Sequence, residues 1–315
     1  MKKINPFPHS DNNKRYFSYD YYLRTKYGSK CAKVPLDAGF TCPNRDGTKG
    51  VGGCTFCSDR GSGDFCAEAA LSLKEQFEKT KQVYVNKWGN VLYIPYFQAH
   101  TNTYGSVEKI RSMLDEALSF ENTVGIALAT RADCLSDAVT DLLFEYSEKT
   151  DLTIELGLQT IHDSTAEKIN RCHTYAEFLK GYEKLHGLDI CIHIINGLPG
   201  ETREMMLETA AELARLHPKF IKFHLLHVIS GTSMCRDYLA GGFETMSREE
   251  YVDTVVSQLE LLPPDTVIER LTGDGAEKDL VSPLWSKKKL VVMNEIDKEF
   301  VRRSSMQGSK WENPK

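Results

Sequence analysis

The sequence has no uninterrupted apolar run that approaches the about 18 residues a membrane-spanning helix needs. Its opening residues, Met1–Pro6, lack the apolar segment of a secretory signal peptide. Paired cysteines are scarce as well, because nine cysteines, an odd number, are spread over 315 residues with a single CxxC. These absences disfavour membrane proteins and disulfide-stabilised secreted proteins. They predict a cytoplasmic protein with reduced thiols and no membrane partner.

The chain also lacks a net positive charge, since its formal net charge is -5. The overall charge therefore gives no indication of nucleic-acid binding. The two ends differ from the rest: residues 1–33 hold eight Lys and Arg against two acidic residues, and residues 285–315 hold eight against four. Basic ends of this kind can contact a phosphate backbone. On composition alone they are equally consistent with solvated termini.

Three cysteines lie close together in residues 41–58, on a stretch rich in glycine and other turn-forming residues. Eleven residues separate Cys42 from Cys54, and two separate Cys54 from Cys57. Three thiolates suit a four-iron cluster that keeps one iron open for an outside ligand, whereas structural zinc needs four ligands. Cys66 could supply that fourth ligand. The spacing therefore leaves two interpretations open, an iron–sulfur site and a zinc site.

After the cysteine loop, apolar strand candidates alternate with helical patterns at intervals of about 30 residues, the size of a βα unit. Ser106, Ser136 and Ser247 are predicted helix caps, the last as part of a capping box with Glu250. The pattern predicts an α/β fold, a partial open (β/α)6 barrel with short terminal extensions. The predicted regions are a basic and aromatic N-terminal extension (1–33), the barrel (34–264), and a C-terminal extension that closes the barrel or contacts substrate (265–315).

Five further motifs accompany the cysteines, and together they resemble a known family. The cysteine loop, with Phe56 just before its last cysteine, resembles the cluster loop of radical S-adenosylmethionine (SAM) enzymes in a long-spaced variant. The whole set is similar to the radical domain of the Elongator catalytic subunit, and most closely to the small bacterial YtqA/YhcC subgroup. The motifs are YFQAHTNTY (96–104), ATR (129–131), ELGLQT (155–160), NRCHT (170–174) and IINGLPGET (194–202).

The resemblance implies a set of cofactors and of residues that bind them. Cys42, Cys54 and Cys57 would hold one [4Fe-4S] cluster, whose open iron takes the amino and carboxylate groups of SAM. Further SAM contacts are implied for Phe56, Gln98, Asn102, Glu155, Gln159, Arg171, Asn196 and Gly197. No residue is assigned as the catalytic acid or base. Among the strand histidines, His224 and His227 are three residues apart and are predicted to face opposite sides of one strand.

The resemblance also implies a reaction and its partners. The enzyme would cleave SAM reductively to a 5'-deoxyadenosyl radical, with electrons from a donor such as flavodoxin or ferredoxin. Its substrate would be a tRNA wobble uridine, whose carboxymethylaminomethyl side chain is processed towards the aminomethyl or methylaminomethyl form. Two alternatives remain at this point: radical chemistry on a small molecule, and a zinc-stabilised binding protein.

Overall fold

The computed structural model describes residues 7–273 and 278–312, and the chain forms two compact units. The first unit comprises Tyr27–Leu158 and Asn170–Cys191. The second comprises Met1–Lys26, Gln159–Ile169 and Ile192–Lys315. The predicted boundaries after residues 33 and 264 describe a different division, and they remain predictions.

The described residues form nine strands and ten α-helices. The strands are β1 (Cys31–Leu36), β2 (Leu92–Phe97), β3 (Gly125–Thr130), β4 (Asp151–Gln159), β5 (Asp189–Asn196), β6 (Phe220–Leu225), β7 (Val228–Ile229), β8 (Val267–Arg270) and β9 (Leu280–Ser282). The helices are α1 (Tyr19–Tyr27), α2 (Leu73–Trp88), α3 (Val107–Leu118), α4 (Asp137–Ser147), α5 (Asp163–Lys168), α6 (Tyr175–Lys184), α7 (Arg203–Leu216), α8 (Ser233–Leu239), α9 (Arg248–Leu261) and α10 (Lys289–Arg302). Short 3-10 helices cover Gly63–Phe65, Ala132–Cys134 and Leu284–Lys287.

The main sheet has seven strands in the order β1-β2-β3-β4-β5-β6-β8, so that neighbours in the sheet are neighbours along the chain. The first strands pair in parallel, with Cys31 opposite Leu92 and Leu36 opposite Phe97. β6 and β8 are also parallel. Parallel neighbours need a crossover, and helices α2 to α7 and α9 provide the crossovers. The alternating βα pattern predicted from the sequence is confirmed, and β8 adds one strand to the predicted six.

Helix caps fix where several of the crossover helices begin. The hydroxyls of Ser106, Ser136 and Thr202 accept hydrogen bonds from the backbone N–H three residues later. Ser247 and Glu250 form the predicted capping box at the start of α9. The cap predictions are confirmed because an N-cap depends on a local sequence of four residues. In the described ranges, no helix is both long and apolar enough to cross a bilayer.

The end of β6 differs from the prediction. The apolar pattern favours one strand from Phe220 to Val228, whereas the strand ends at Leu225. Val228 starts β7, which pairs antiparallel with β9. His227 therefore lies outside the strand that contains His224, and the period-two argument for opposite faces does not apply to this pair.

The N-terminal segment packs within the second unit. The backbone N–H of Ile268 in β8 donates to the carbonyl of Phe17 at 2.7 Å. The rings of Tyr19 and Tyr22 lie edge-on to Phe220. Tyr16 is only 4% exposed. The aromatic cluster of the N-terminal extension thus serves packing, as one of the two interpretations of the sequence expects.

Candidate functional site

The cysteine loop lies in the first unit and is held by its own backbone. The carbonyl of Cys42 accepts the N–H of Arg45 at 2.8 Å, and the carbonyl of Pro43 accepts the N–H of Lys49 at 2.8 Å. The Cys57 N–H closes a turn on the Cys54 carbonyl at 3.0 Å. Gly53 takes a positive φ of 79°, which favours glycine. The loop is therefore ordered by main-chain contacts.

Cys54 is the most buried of the three cysteines, with 6% of its surface exposed. Its Sγ accepts hydrogen bonds from Asn44 Nδ2 at 3.6 Å and from Arg171 Nη1 at 3.7 Å. A hydrogen bond from Cys57 and the charges of Arg171 and Arg131 lower the pKa of Cys54 well below its usual value. The pKa of Cys57 is raised because its thiol is the one that donates to Cys54. Adjacent thiols and nearby guanidiniums favour a thiolate at Cys54.

The NRCH motif, residues 170–173, contacts the cysteine loop. Asn170 Nδ2 donates to the carbonyls of Val51 at 3.2 Å and Gly53 at 2.8 Å. Asn44 Nδ2 donates in return to the carbonyl of Asn170. A Cβ at Gly50 would lie 2.1 Å from Asn44 Oδ1 and 2.7 Å from Cys172 Sγ, so no side chain fits there. The motif therefore stabilises the loop that carries the cysteines.

A second arginine near the cysteines comes from the ATR motif. Arg131 donates two hydrogen bonds to the carboxylate of Asp133, at 2.9 and 3.0 Å, and its Nη2 also reaches the carbonyl of Arg171 at 3.0 Å. Burial acts against the Arg131 charge, but the bond to Asp133 and the negative charges of Asp133, Cys42 and Cys54 raise its pKa. Lys49 lies 2.6 Å from Asp133 and completes an ion cluster at the loop.

Several buried polar atoms near the loop have no hydrogen-bond partner in the part of the chain that the structure describes. Buried polar atoms normally have partners, so such atoms are candidates for contact with a bound group. Two are cationic donors, and the others belong to amides and an imidazole. They are Arg131 Nη1, Arg171 Nε, Asn44 Oδ1, Asn102 Oδ1 and His100 Nδ1.

The donor set distinguishes between the two interpretations of the cysteines. Burial and the nearby charge of Asp37 raise the pKa of Cys66 to about 12, so this thiol is a poor fourth ligand for zinc. In residues 7–273 and 278–312, no three His, Cys, Asp or Glu side chains are grouped as they would be around one metal ion. In an iron–sulfur cube each cysteine binds a different iron, and the cube with its thiolates is anionic. The thiols beside Arg131 and Arg171 fit that group.

The other predicted SAM contacts of the first unit have protein partners as well. Phe56 is half-buried. Gln98 Nε2 donates to the Ser62 carbonyl at 2.6 Å and thereby fixes the segment that follows the cysteines. Asn102 is fully buried, and its Nδ2 lies 3.0 Å from the Phe97 carbonyl and 2.9 Å from the Ala129 carbonyl. Its Nδ2 thus links the ends of β2 and β3.

Glu155 is fully buried in β4, where it forms an ion pair with Lys33 of β1. The Lys33 ammonium also lies 4.7 Å from the centre of the Tyr96 ring. The buried carboxylate was predicted to need polar partners, and one of them is a lysine. No sequence signal links Lys33 to Glu155, because 121 residues separate them along the chain.

Gln159, Asn196 and Gly197 belong to the second unit. Gln159 ends β4 with a positive φ of 75°. Asn196 exchanges two hydrogen bonds with Gln258 of α9, at 2.7 and 2.9 Å. The Gly197 N–H donates to the sulfur of Met206 at 3.3 Å, and its positive φ of 84° favours glycine. The sequence did not reveal the Asn196–Gln258 pair, which joins a strand end to a distant helix.

Comparison with known proteins identifies the family. The model of the radical SAM superfamily matches residues 42–213, more than half of the chain. The chain belongs to the radical SAM superfamily. A radical SAM C-terminal domain model matches residues 218–302. The cofactors of this family are a [4Fe-4S] cluster and SAM, and its enzymes require a reductant, so these parts of the sequence-based prediction are confirmed.

Two curated relatives narrow the resemblance. The uncharacterized protein YtqA of Bacillus subtilis is 48% identical over 310 residues, covering 98% of this chain and 96% of the relative. Elongator complex protein 3 of Mus musculus is 26% identical over 174 residues, covering 53% of this chain and 30% of that protein. The predicted subgroup, close to YtqA and related to the Elongator radical domain, is confirmed.

A solved structure supports the fold. The archaeal Elp3 of Methanocaldococcus infernus, with an N-terminal deletion, superposes with a TM-score of 0.65 at 17% identity, covering 89% of this chain and 64% of the other. Likeness at this level of identity concerns the fold alone. With the parallel strand order it confirms the predicted partial open barrel of the radical SAM type.

Proposed function

We propose that this radical SAM enzyme modifies the wobble uridine of tRNA, with Cys42, Cys54 and Cys57 as the ligands of its cluster. The bound cluster and SAM would supply a 5'-deoxyadenosyl radical. The proposed reaction processes the carboxymethylaminomethyl side chain at carbon 5 towards the aminomethyl or methylaminomethyl form, on a tRNA encountered in the cytoplasm. The electron donor would be a small redox protein such as flavodoxin or ferredoxin.

The observation that carries the cluster assignment is the contact between Arg171 Nη1 and Cys54 Sγ at 3.7 Å. Hydrogen bonds to cluster sulfurs and nearby positive charge stabilise an anionic cluster. Arg131 adds a second charge whose pKa is raised. A binding protein that lacks such a cluster would have no evident use for two buried guanidiniums beside three thiols.

The side chains proposed to contact SAM differ in what they have left to offer. Asn102 Oδ1 is a buried acceptor without a described partner, and it suits the ammonium group of the methionine end. Arg171 Nε is the donor left for the carboxylate, since its Nη atoms contact Cys54 and the Gly157 carbonyl. We propose that Phe56, Gln98 and Glu155 complete the contacts from the first unit. Gln159, Asn196 and Gly197 would act from the second unit.

Support for tRNA comes from the relatives and from the basic ends of the chain. Both ends pack together in the second unit: Arg15 Nη1 donates to the carbonyls of Phe300 and Ser305 at 3.3 and 3.1 Å. Lys287 and Lys288 are exposed just before α10 and form no ion pair within the described ranges. Exposed, unpaired lysines are suited to phosphate contacts, whose strength falls as salt rises.

The proposal is tested by comparing tRNA nucleosides from a deletion strain with those of its parent. We expect the carboxymethylaminomethyl nucleoside to accumulate in the deletion strain, while the aminomethyl and methylaminomethyl nucleosides disappear. A plasmid with the wild-type gene should restore them, whereas a plasmid with the Cys54→Ala variant should not. An unchanged profile, with SAM cleavage intact in the purified enzyme, would reject tRNA and favour a small-molecule substrate.

A further inference from the structure

Three histidines of the second unit meet at the ends of its strands. The ring centres of His193 in β5 and His224 in β6 are 5.3 Å apart. Gly273 lies beside the other two: a Cβ there would be 3.2 Å from His227 Cε1 and 3.8 Å from His224 Nδ1. All three histidines are half-buried rather than enclosed. We call His193, His224 and His227 the histidine cluster.

Charged residues of β6 and β8 surround the cluster. Lys222 and Glu269 form an ion pair at 3.0 Å, and the side chains of both are at most 5% exposed. Arg270 stands opposite Lys222 in the sheet register. Counted together, two cations and one carboxylate leave a net positive charge of one when the imidazoles are neutral. The charge near the cluster therefore favours an anion.

The cluster offers hydrogen-bond donors rather than a metal site. His224 Nε2 and the buried hydroxyl of Thr272 have no partner in the described part of the chain. Desolvation and the charges of His193, Arg270, Lys222 and His227 lower the pKa of His224, so its imidazole is neutral and can donate one N–H. Among the described residues, no three side chains are grouped so as to hold a metal ion. The unsatisfied polar atoms call for a polar ligand.

We infer that the histidine cluster binds a carboxylate of the substrate. Neutral imidazole donors beside Arg270 and Lys222 match the two oxygens and single negative charge of that group. Gly273 keeps the approach open, because any larger residue would press on His227. The inference rests on the proposed function, in which the substrate side chain ends in a carboxylate. The cluster would then distinguish the substrate from the product that has lost this group.

The inference is tested with an RNA hairpin of the tRNA anticodon arm. One version carries the carboxymethylaminomethyl group at the wobble uridine, and the other carries the corresponding carboxamide, which has the same shape and no charge. Binding to the reconstituted enzyme with SAM is measured by calorimetry under anaerobic conditions. We expect the carboxylate version to bind at least about tenfold more tightly, as for a lost hydrogen bond to a charged group.

Variants then locate the preference. His224→Phe keeps the ring volume without its donors and should abolish the preference, while His224→Gln retains a donor and should preserve part of it. His186→Gln, which changes an exposed histidine of the first unit, should leave the preference unchanged. If His224→Phe does not fold, His193→Gln serves in its place. The wild-type comparison of the two hairpins does not depend on any variant.

The outcomes separate the two claims. Equal affinity of wild type for the two hairpins would overturn the inference and leave the tRNA assignment standing. A preference that persists in His224→Phe would place the carboxylate site elsewhere and would also overturn it. If neither hairpin binds and the deletion strain shows no nucleoside change, the proposed function itself fails, and the carboxylate assignment fails with it.

Discussion

Arg171 Nη1 lies 3.7 Å from Cys54 Sγ, although 117 residues separate the two along the chain. The same guanidinium donates to the Gly157 carbonyl, which fixes its orientation. A buried positive charge held against a cluster ligand makes addition of an electron easier. The contact therefore connects the NRCH motif to the reduction step on which SAM cleavage depends.

Replacing Arg171 by Gln should make the cluster harder to reduce. We expect the midpoint potential to fall by on the order of 50 mV, the equivalent of about 1 kcal/mol for one electron. The measurement is a redox titration followed by electron paramagnetic resonance. Arg111→Gln is the control, because Arg111 pairs with Glu145 on the surface. Equal potentials in wild type and Arg171→Gln would show that the contact does not tune the cluster.

Cys66 should be dispensable for metal binding, while Cys54 should not. The raised pKa of Cys66 keeps it a neutral thiol, and alanine fills most of its buried volume. We expect Cys66→Ala to retain the iron and sulfide content of wild type after anaerobic purification. Cys54→Ala should lose nearly all of it. Colourless protein with stoichiometric zinc that is lost in Cys66→Ala would instead establish the zinc site.

The Lys33–Glu155 pair should contribute to stability chiefly by avoiding an unpaired buried charge. Lys33→Met leaves a fully buried carboxylate without its lysine and should lower the free energy of unfolding by about 3 kcal/mol. Adding Glu155→Leu to that variant should recover most of the loss. Denaturant unfolding of the wild type, the two single variants and the double variant measures both effects. A double variant no more stable than Lys33→Met would contradict this explanation.

His173 should make the protein sensitive to acid. Burial and the charges of Arg171 and Arg131 lower its pKa to about 3, whereas the unfolded value is about 6.5. Between these values the unfolded state binds the extra proton, so stability falls as the pH falls below about 6.5. By pH 5.5 the expected loss from this group is about 1 kcal/mol. The change in unfolding free energy between pH 7.5 and 5.5 should be smaller by this amount in His173→Gln, and unchanged in the exposed variant His186→Gln.

Local features of the fold could be predicted from the sequence. The strands of the barrel and the caps at Ser106, Ser136 and Ser247 each depend on a few consecutive residues. The three cysteines were found because they lie within a single loop. The seventh strand was missed as a sheet member, since Val267–Arg270 is short and its partner β6 lies more than 40 residues earlier.

Contacts between distant residues could not be predicted. The Lys33–Glu155 pair and the Asn196–Gln258 pair each join elements whose sequences carry no sign of one another. The histidine cluster was obscured for a related reason: the apolar pattern runs past Leu225, so the end of β6 and the position of His227 were not visible. In each case the partner is set by how the strands and helices pack, which a periodic pattern does not specify.

The central claim is that the cysteine loop carries a cluster able to reduce SAM. It is tested most directly by incubating anaerobically reconstituted protein with SAM and dithionite and quantifying the products by chromatography. The account predicts 5'-deoxyadenosine and methionine in equal amounts from wild type, and neither from Cys54→Ala. Reduced, iron-replete wild type that leaves SAM intact would contradict it.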